Sequence, residues 1–335
     1  MTDRILVVGP SWVGDMVMAQ PLIARLQSST AGAVVDVFAP GWVLPIVRRM
    51  PGVQAAIDSP FAHGELALGK RWGTARSLRS RGYRQAVVLP NSLKSALVPW
   101  FAGIPRRTGF LGEQRRGLLN DIRSFDPAAV PRLVDRFLLL GDGPVVAPRP
   151  HLESAAGART ALAARLGLAL DKPVACLCPG AEYGPAKRWP VRHFASLARQ
   201  LADRGFAVWL LGSAKDAPVA EAIRVASDGA CESVAGRTDL GDATDLLACA
   251  AVVVSNDSGL MHVAAAVGVP VVALFGSSSP DYTPPLSDVA RIVRHPVPCS
   301  PCFRRECPLG HFACMEDLSV ESVLAETLAA VGSSP

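Results

Sequence analysis

Apolar and polar positions follow one repeating pattern along most of the chain. Short runs of aliphatic and β-branched residues are each followed by a polar turn and then by a stretch with helical spacing. In the first half, residues 4–8, 34–38 and 86–89 read as strands, with helical segments at 15–28, 43–50 and 70–81. The second half restarts the pattern. Strands are expected at 173–178, 206–211, near Ser233, 252–254 and 269–274, and helices at 154–168, after Pro190, from Ala217 and at 242–249. Apolar runs of this kind, alternating with helices, predict an α/β chain built on parallel sheets.

The pattern breaks between residues 141 and 172, where Gly141-Asp142-Gly143-Pro144 and Pro148-Arg149-Pro150 interrupt the periodicity. The boundary divides the chain into domains at 1–150 and 151–318. An amphipathic C-terminal helix within 319–335 is expected to pack back on the first domain. With 335 residues, each half is long enough to bury its own core.

Composition narrows the class. Half the residues are hydrophobic and mean hydropathy is +0.27, yet no run reaches the roughly 18 to 20 apolar residues of a membrane span. The N-terminal apolar run is broken by Gly9, Pro10 and Asp15 and lacks a cleavage site, so it is not read as a secretory signal, and a cytoplasmic location is expected. A net charge of +5 suits an anionic substrate or an acidic membrane surface. With 6% aromatic residues and no nucleic-acid-binding signature, no nucleic-acid partner is expected.

The candidate chemistry sits in loops that follow strands, because loops after parallel strands share one edge of the sheet. In the first half, Gly9 to Gly14 leads into a helix whose first turn carries Asp15. A carboxylate there either stabilises the helix dipole or acts as a base. In the second half, Lys187 and Arg188 follow one strand, Gly212 and Ser213 the next, and Asp257, Ser258 and Gly259 the last. Residues 256–259 are helix-capping types, and open N–H groups at a helix start favour an anion. His262 stands one turn further on. Together the loops have the parts of a diphosphate cradle, without a Walker lysine motif or a dinucleotide fingerprint, which disfavours an ATP-driven motor and an NAD-dependent oxidoreductase.

Residues 94–123 form a basic, glycine-punctuated segment, either a solvated face or a pocket for acidic groups. Cys299, Cys302, Cys307 and Cys314 cluster near the C-terminus with His311 among them. They have the ligand count of a structural zinc site, but beyond the first C-x2-C the spacing matches no standard knuckle. Reduced thiols are the preferred reading, and no cofactor is required.

Taken in order, GPSWVGDMVMAQPL, VLPNSLKSALVPWFAGIPRRTGF, CPGAEYGPAKRWP, LLGSAKD and SNDSGLMHVAAAVGVPVVALFGSSSPDYTPP resemble the bacterial ADP-heptose:lipopolysaccharide heptosyltransferases, most closely the heptosyltransferase II branch. The resemblance covers nearly the whole chain. It implies two Rossmann-like domains facing a cleft, the GT-B glycosyltransferase type, with the acceptor on the first domain, the sugar nucleotide on the second, an inverting mechanism and no obligatory metal. Asp15 matches the general base, and Lys187 matches the lysine that contacts the donor diphosphate. Asp257, Ser258, Gly259 and His262 match the nucleotide-sugar loop. In the acceptor half, Asn91, Lys94, Glu113 and Arg115 lie in matching segments.

The expected activity is therefore transfer of L-glycero-D-manno-heptose from ADP-heptose to the first heptose of the lipopolysaccharide inner core, with release of ADP, at the cytoplasmic face of the inner membrane. Its rivals are a heptosyltransferase I type enzyme acting on Kdo and a non-catalytic nucleotide-sugar-binding module, which would have no need of Asp15.

Overall fold

The computed structural model describes residues 3–29, 32–62, 64–142 and 149–332. Gly143, Pro144 and Pro148 of the predicted boundary lie outside them. The chain divides into two compact units, Met1–His151 and Leu152–Pro335.

In the first unit the strands are β1 (Arg4–Val8), β2 (Val34–Ala39), β3 (Val53–Asp58), β4 (Gln85–Val88), β5 (Arg106–Phe110) and β6 (Asp121–Arg123). In the second they are β7 (Val174–Cys178), β8 (Ala207–Leu210), β9 (Glu232–Ser233), β10 (Val252–Asn256), β11 (Val271–Phe275) and β12 (Ala290–Arg294). Each unit forms one six-stranded sheet, in the orders β3-β2-β1-β4-β5-β6 and β12-β11-β10-β7-β8-β9, and the pairings are parallel. Both sheets thus have the doubly wound Rossmann order. The winding reverses between β1 and β4 in one and between β7 and β10 in the other, and ligands bind outside the carboxyl ends of strands at such a point.

The central strands carry the signal that made them legible. β7, β10 and β11 are buried along their whole length, as near-continuous apolar runs require. The expected helix over 15–28 is instead two, Val13–Met18 and Gln20–Ser29, divided at Ala19. Pro21 falls in the first turn of the second, where its missing N–H costs nothing.

The helix Val191–Ala202 buries Phe194, Leu197, Ala198 and Leu201, one stripe at i, i+3, i+4 and i+7. Burial of each large side chain contributes about 1.5–3 kcal/mol. The C-terminal helix, Val320–Gly332, buries Val323 and Leu324 in that same core. Its buried apolar residues therefore belong to the core of the second unit.

Among the described residues, no helix is long and apolar enough to cross a membrane.

Candidate functional site

In the second unit the loops after β7 and β10 meet at the switch point. Asn256, the last residue of β10, is fully buried and braces them: its Oδ1 accepts from Trp189 N at 3.1 Å and its Nδ2 donates to Pro179 O at 2.8 Å. The amide thereby satisfies two buried backbone groups at once. The Trp189 indole Nε1 donates to Leu318 O at 2.9 Å, which fixes the far end of the β7 loop.

This brace sets Lys187 opposite Asp257. Lys187 Nζ lies 2.5 Å from Asp257 Oδ2, and the side chains are only 16% and 5% exposed. Ser278 Oγ donates to the same carboxylate oxygen at 2.5 Å. The Tyr183 ring lies 5.0 Å from Lys187 Nζ, within cation–π range. Ser278 had not been singled out from the sequence. Its signal is its position: the loop after β11, the strand next to β10, opens on the same edge as the other two.

His262, in the helix Gly259–Ala266, is buried. Desolvation pushes its pKa down to about 4, against a smaller upward pull from Asp257, and Lys187 pushes it the same way as burial. The ring is neutral at physiological pH. Asp257 and Ser258 do not cap that helix as their residue types suggested. Ser258 is the N-cap residue yet makes no side-chain bond to the helix N–H groups, while its Oγ lies 3.2 Å from Ser255 Oγ. With the Asp257 carboxylate turned to Lys187, the first-turn N–H groups from Gly259 onward remain available to an anion.

The other predicted donor residues divide by role. Arg188 Nη2 reaches Ala181 O at 3.5 Å, and its buried Nε has no partner among the described residues, a guanidinium with donor capacity left over. Ser213 instead forms a capping box with Asp216, whose Oδ2 accepts from Ser213 N at 2.9 Å and from Ser213 Oγ at 2.8 Å. A Cβ at Gly212 would stand 2.8 Å from Asp216 Cβ, and one at Gly180 would stand 2.5 Å from its Cγ. Gly212 and Ser213 thus hold the loop shape around Asp216.

In the first unit, Asp15 lies half-buried in the first turn of Val13–Met18, at the carboxyl end of β1. Of the predicted acceptor residues, Arg115 is fully buried. Its guanidinium donates to the carbonyls of Phe110, Pro90 and Ser92, and burial pushes its pKa down to about 10. Glu113 Oε2 accepts from Leu93 N at 2.8 Å. Both brace the loop after β4. Asn91 is exposed, with Oδ1 3.4 Å from Arg115 Nη2, and Lys94 makes no side-chain bond among the described residues.

Much of the remaining basic segment is strand and not pocket. Arg106 and Arg123 bridge Asp121 and Asp142, and the Arg106 guanidinium holds the Asp142 carboxyl below its usual range.

Two doubly wound units, with a lysine, an arginine and a helix N-terminus gathered at the switch point of one, make up a GT-B type glycosyltransferase. The chain belongs to glycosyltransferase family 9 (heptosyltransferase), whose model matches residues 71–313. It is 45% identical to lipopolysaccharide heptosyltransferase 2 of Escherichia coli (strain K12) over 96% of this chain and 97% of that protein. It is 47% identical to lipooligosaccharide heptosyltransferase 2 of Haemophilus influenzae, over 87% of this chain and 88% of that one. The structure of E. coli ADP-heptose lipopolysaccharide heptosyltransferase II superposes with a TM-score of 0.89 at 44% identity, covering 98% of each chain.

Proposed function

We propose that this glycosyltransferase moves L-glycero-D-manno-heptose from ADP-heptose to the first heptose of the lipopolysaccharide inner core. The observation that carries the reading is the buried Lys187–Asp257 pair at the β7/β10 switch point, in a chain related end to end to heptosyltransferases 2.

In this mechanism Lys187, Arg188 and the N–H groups from Gly259 onward hold the donor diphosphate. An acceptor hydroxyl attacks the anomeric carbon, the bond from that carbon to the diphosphate oxygen breaks, and ADP leaves with the electron pair. The acceptor proton passes to the Asp15 carboxylate as general base, and attack opposite the leaving group inverts the configuration. Charge accumulating on the diphosphate is stabilised by donors already in place, so little reorganisation accompanies the step. His262 stays neutral beside the cradle and adds no competing charge. Asp257 acts through Lys187, aiming the ammonium, and Asn91 and Lys94 contribute to the acceptor side.

The acceptor is lipid-anchored, and we place the enzyme at the cytoplasmic face of the inner membrane. What supports this is the face of helix Leu68–Arg79, where Trp72 is 52% exposed and Lys70, Arg76 and Arg79 are exposed with no acid on the helix. Exposed Trp100 continues the patch: Phe101 meets the Trp72 ring edge-to-face at 5.3 Å and the Trp100 ring at a tilt at 5.1 Å. Aromatic rings with cations around them suit the interface of an anionic bilayer.

The test is ADP release from ADP-heptose with two core acceptors, truncated before and after the first heptose. Turnover confined to the acceptor that carries the first heptose is expected. Equal rates on both would overturn the assignment, and turnover only on the Kdo-terminated acceptor would transfer it to the heptosyltransferase I reaction.

A further inference from the structure

Between the end of β12 at Arg294 and the short helix Ala313–Glu316, residues 295–312 contain no helix or strand. Irregular segments of that length inside a compact domain need something of their own to hold them. This one is stitched to the donor loops. Arg305 O accepts from Ala186 N at 3.1 Å, next to Lys187, and Phe303 N donates to Ser277 O at 2.7 Å, next to Ser278. Phe303 O accepts from Tyr183 Oη at 2.8 Å. Contact is close enough that a Cβ on Gly184, at φ +158°, would stand 2.3 Å from Arg305 O.

The segment's own interior is a cavity of about 20 Å³. Cys299, Cys302, Cys307 and Cys314 all line it, together with His311 and Ser277. Three further features resemble the surroundings of bound thiolates. Phe312 N donates to Cys307 Sγ at 3.4 Å, from a turn that wraps the sulfur. His311 Nδ1 accepts from Ala313 N at 2.9 Å, so the neutral ring carries its proton on Nε2, and that atom lies 3.9 Å from Cys299 Sγ. Ser277 Oγ is buried with no partner among the described residues, in a residue that lines the same cavity.

We propose that Cys299, Cys302, Cys307 and Cys314 bind one metal ion, zinc or ferrous iron, as a four-thiolate site that cross-links residues 295–314 beneath the donor loops, with His311 and Ser277 as hydrogen-bond donors to the sulfurs and not as ligands. Four thiolates suit a closed tetrahedral structural site for a soft-accepting ion. Neutral donors around them offset part of the negative charge such a site accumulates. Among the described residues, no group of three Cys, His, Asp or Glu side chains is arranged to hold an ion as it lies. Binding therefore requires the four side chains to turn inward across the cavity they line. The proposal departs from the preference for reduced thiols, which rested on the spacing and on a family chemistry that calls for no metal. Intervals along the chain carry no sign that all four cysteines line one cavity.

The test uses the full-length chain purified under reducing conditions without chelator. Elemental analysis is expected to find about one equivalent of zinc or iron per chain. Protein produced in cobalt-supplemented medium is expected to show the intense sulfur-to-cobalt charge-transfer absorption of a four-thiolate site. His311→Ala should keep both the stoichiometry and that spectrum, whereas Cys307→Ser should lower metal content at least tenfold. Less than a tenth of an equivalent of metal, with all four thiols reacting freely in the native protein, would overturn the proposal. So would disulfides in place of metal, or a cobalt spectrum that changes in His311→Ala, which would make the imidazole a ligand.

Discussion

Lys187 and Asp257, 70 residues apart in sequence, meet at 2.5 Å in a setting where neither side chain is more than 16% exposed. Two consequences follow from a pair this far out of water. Each partner compensates the desolvation of the other, and the ammonium is already ordered when an anionic ligand arrives. The pair is thus both a stability element and a preorganised half of the donor site.

Breaking the pair from one side leaves the other charge buried and unpaired. Lys187→Met is expected to cost about 2–4 kcal/mol in urea unfolding, and Lys187→Met with Asp257→Asn less than the sum of the two single changes. In both single variants ADP-heptose binding weakens, because the ammonium is lost in one and no longer aimed in the other. Additive unfolding energies would show that the two residues are not coupled.

His262 makes stability depend on pH. Its folded pKa of about 4 lies below the unfolded value near 6.5, so the unfolded state takes up the proton first as pH falls. The contribution is fully present above about pH 6.5 and is lost progressively down to about pH 4, on the order of 3 kcal/mol in all. Urea unfolding of wild type and His262→Gln across that window measures it. The variant should have a distinctly flatter profile, and an identical slope would mean that the ring is protonated at little cost in the native state.

Arg115 is expected to behave as a buried brace. Arg115→Ala strands the carbonyls of Pro90, Ser92 and Phe110 and should cost about 3 kcal/mol or more, with Arg115→Lys recovering little because an ammonium cannot fork to three acceptors. A stable variant with only a raised acceptor KM would restore Arg115 to acceptor recognition.

Gly180 has no room for a side chain. Gly180→Ala places a methyl 2.5 Å from the Asp216 carboxyl carbon and should destabilise by about 1–3 kcal/mol. Asp216→Ala, which loses the capping box on its own, should cost markedly less in the Gly180→Ala background. Equal cost in both backgrounds would mean that the loop moves aside.

The fold was legible where strands are buried on both faces. β1, β7 and β10 were placed to within a residue or two because their sequences are unbroken apolar runs. β3, β5, β6 and β12 were not, and each lies at or next to a sheet edge. Arg106, Asp121 and Arg123 pair with one another and with Asp142, a stabilisation that hydrophobic periodicity does not register. At the site, residue type and loop position brought Lys187, Asp257 and His262 together correctly, since loops after neighbouring parallel strands must converge. The same reasoning did not foresee that Arg115, Glu113 and Ser213 bond to groups of the loops themselves. A basic, acidic or hydroxyl side chain in a functional loop looks alike in sequence whether it faces a ligand or the loop's own carbonyls and amides. Ser278 was missed because a run of three serines carries no pattern, and only the adjacency of β11 to β10 gives it meaning.

The central claim is that the second unit holds the donor while Asp15 of the first activates the acceptor. The most direct measurement is the rate of ADP release by Asp15→Asn with a heptose-bearing core acceptor, set beside the affinity of the same variant for ADP-heptose. The account predicts a loss of about 10²–10⁴-fold in kcat with donor affinity within about twofold of wild type, since a general base acts only as the acceptor proton is removed. Wild-type turnover with normal donor binding would contradict it.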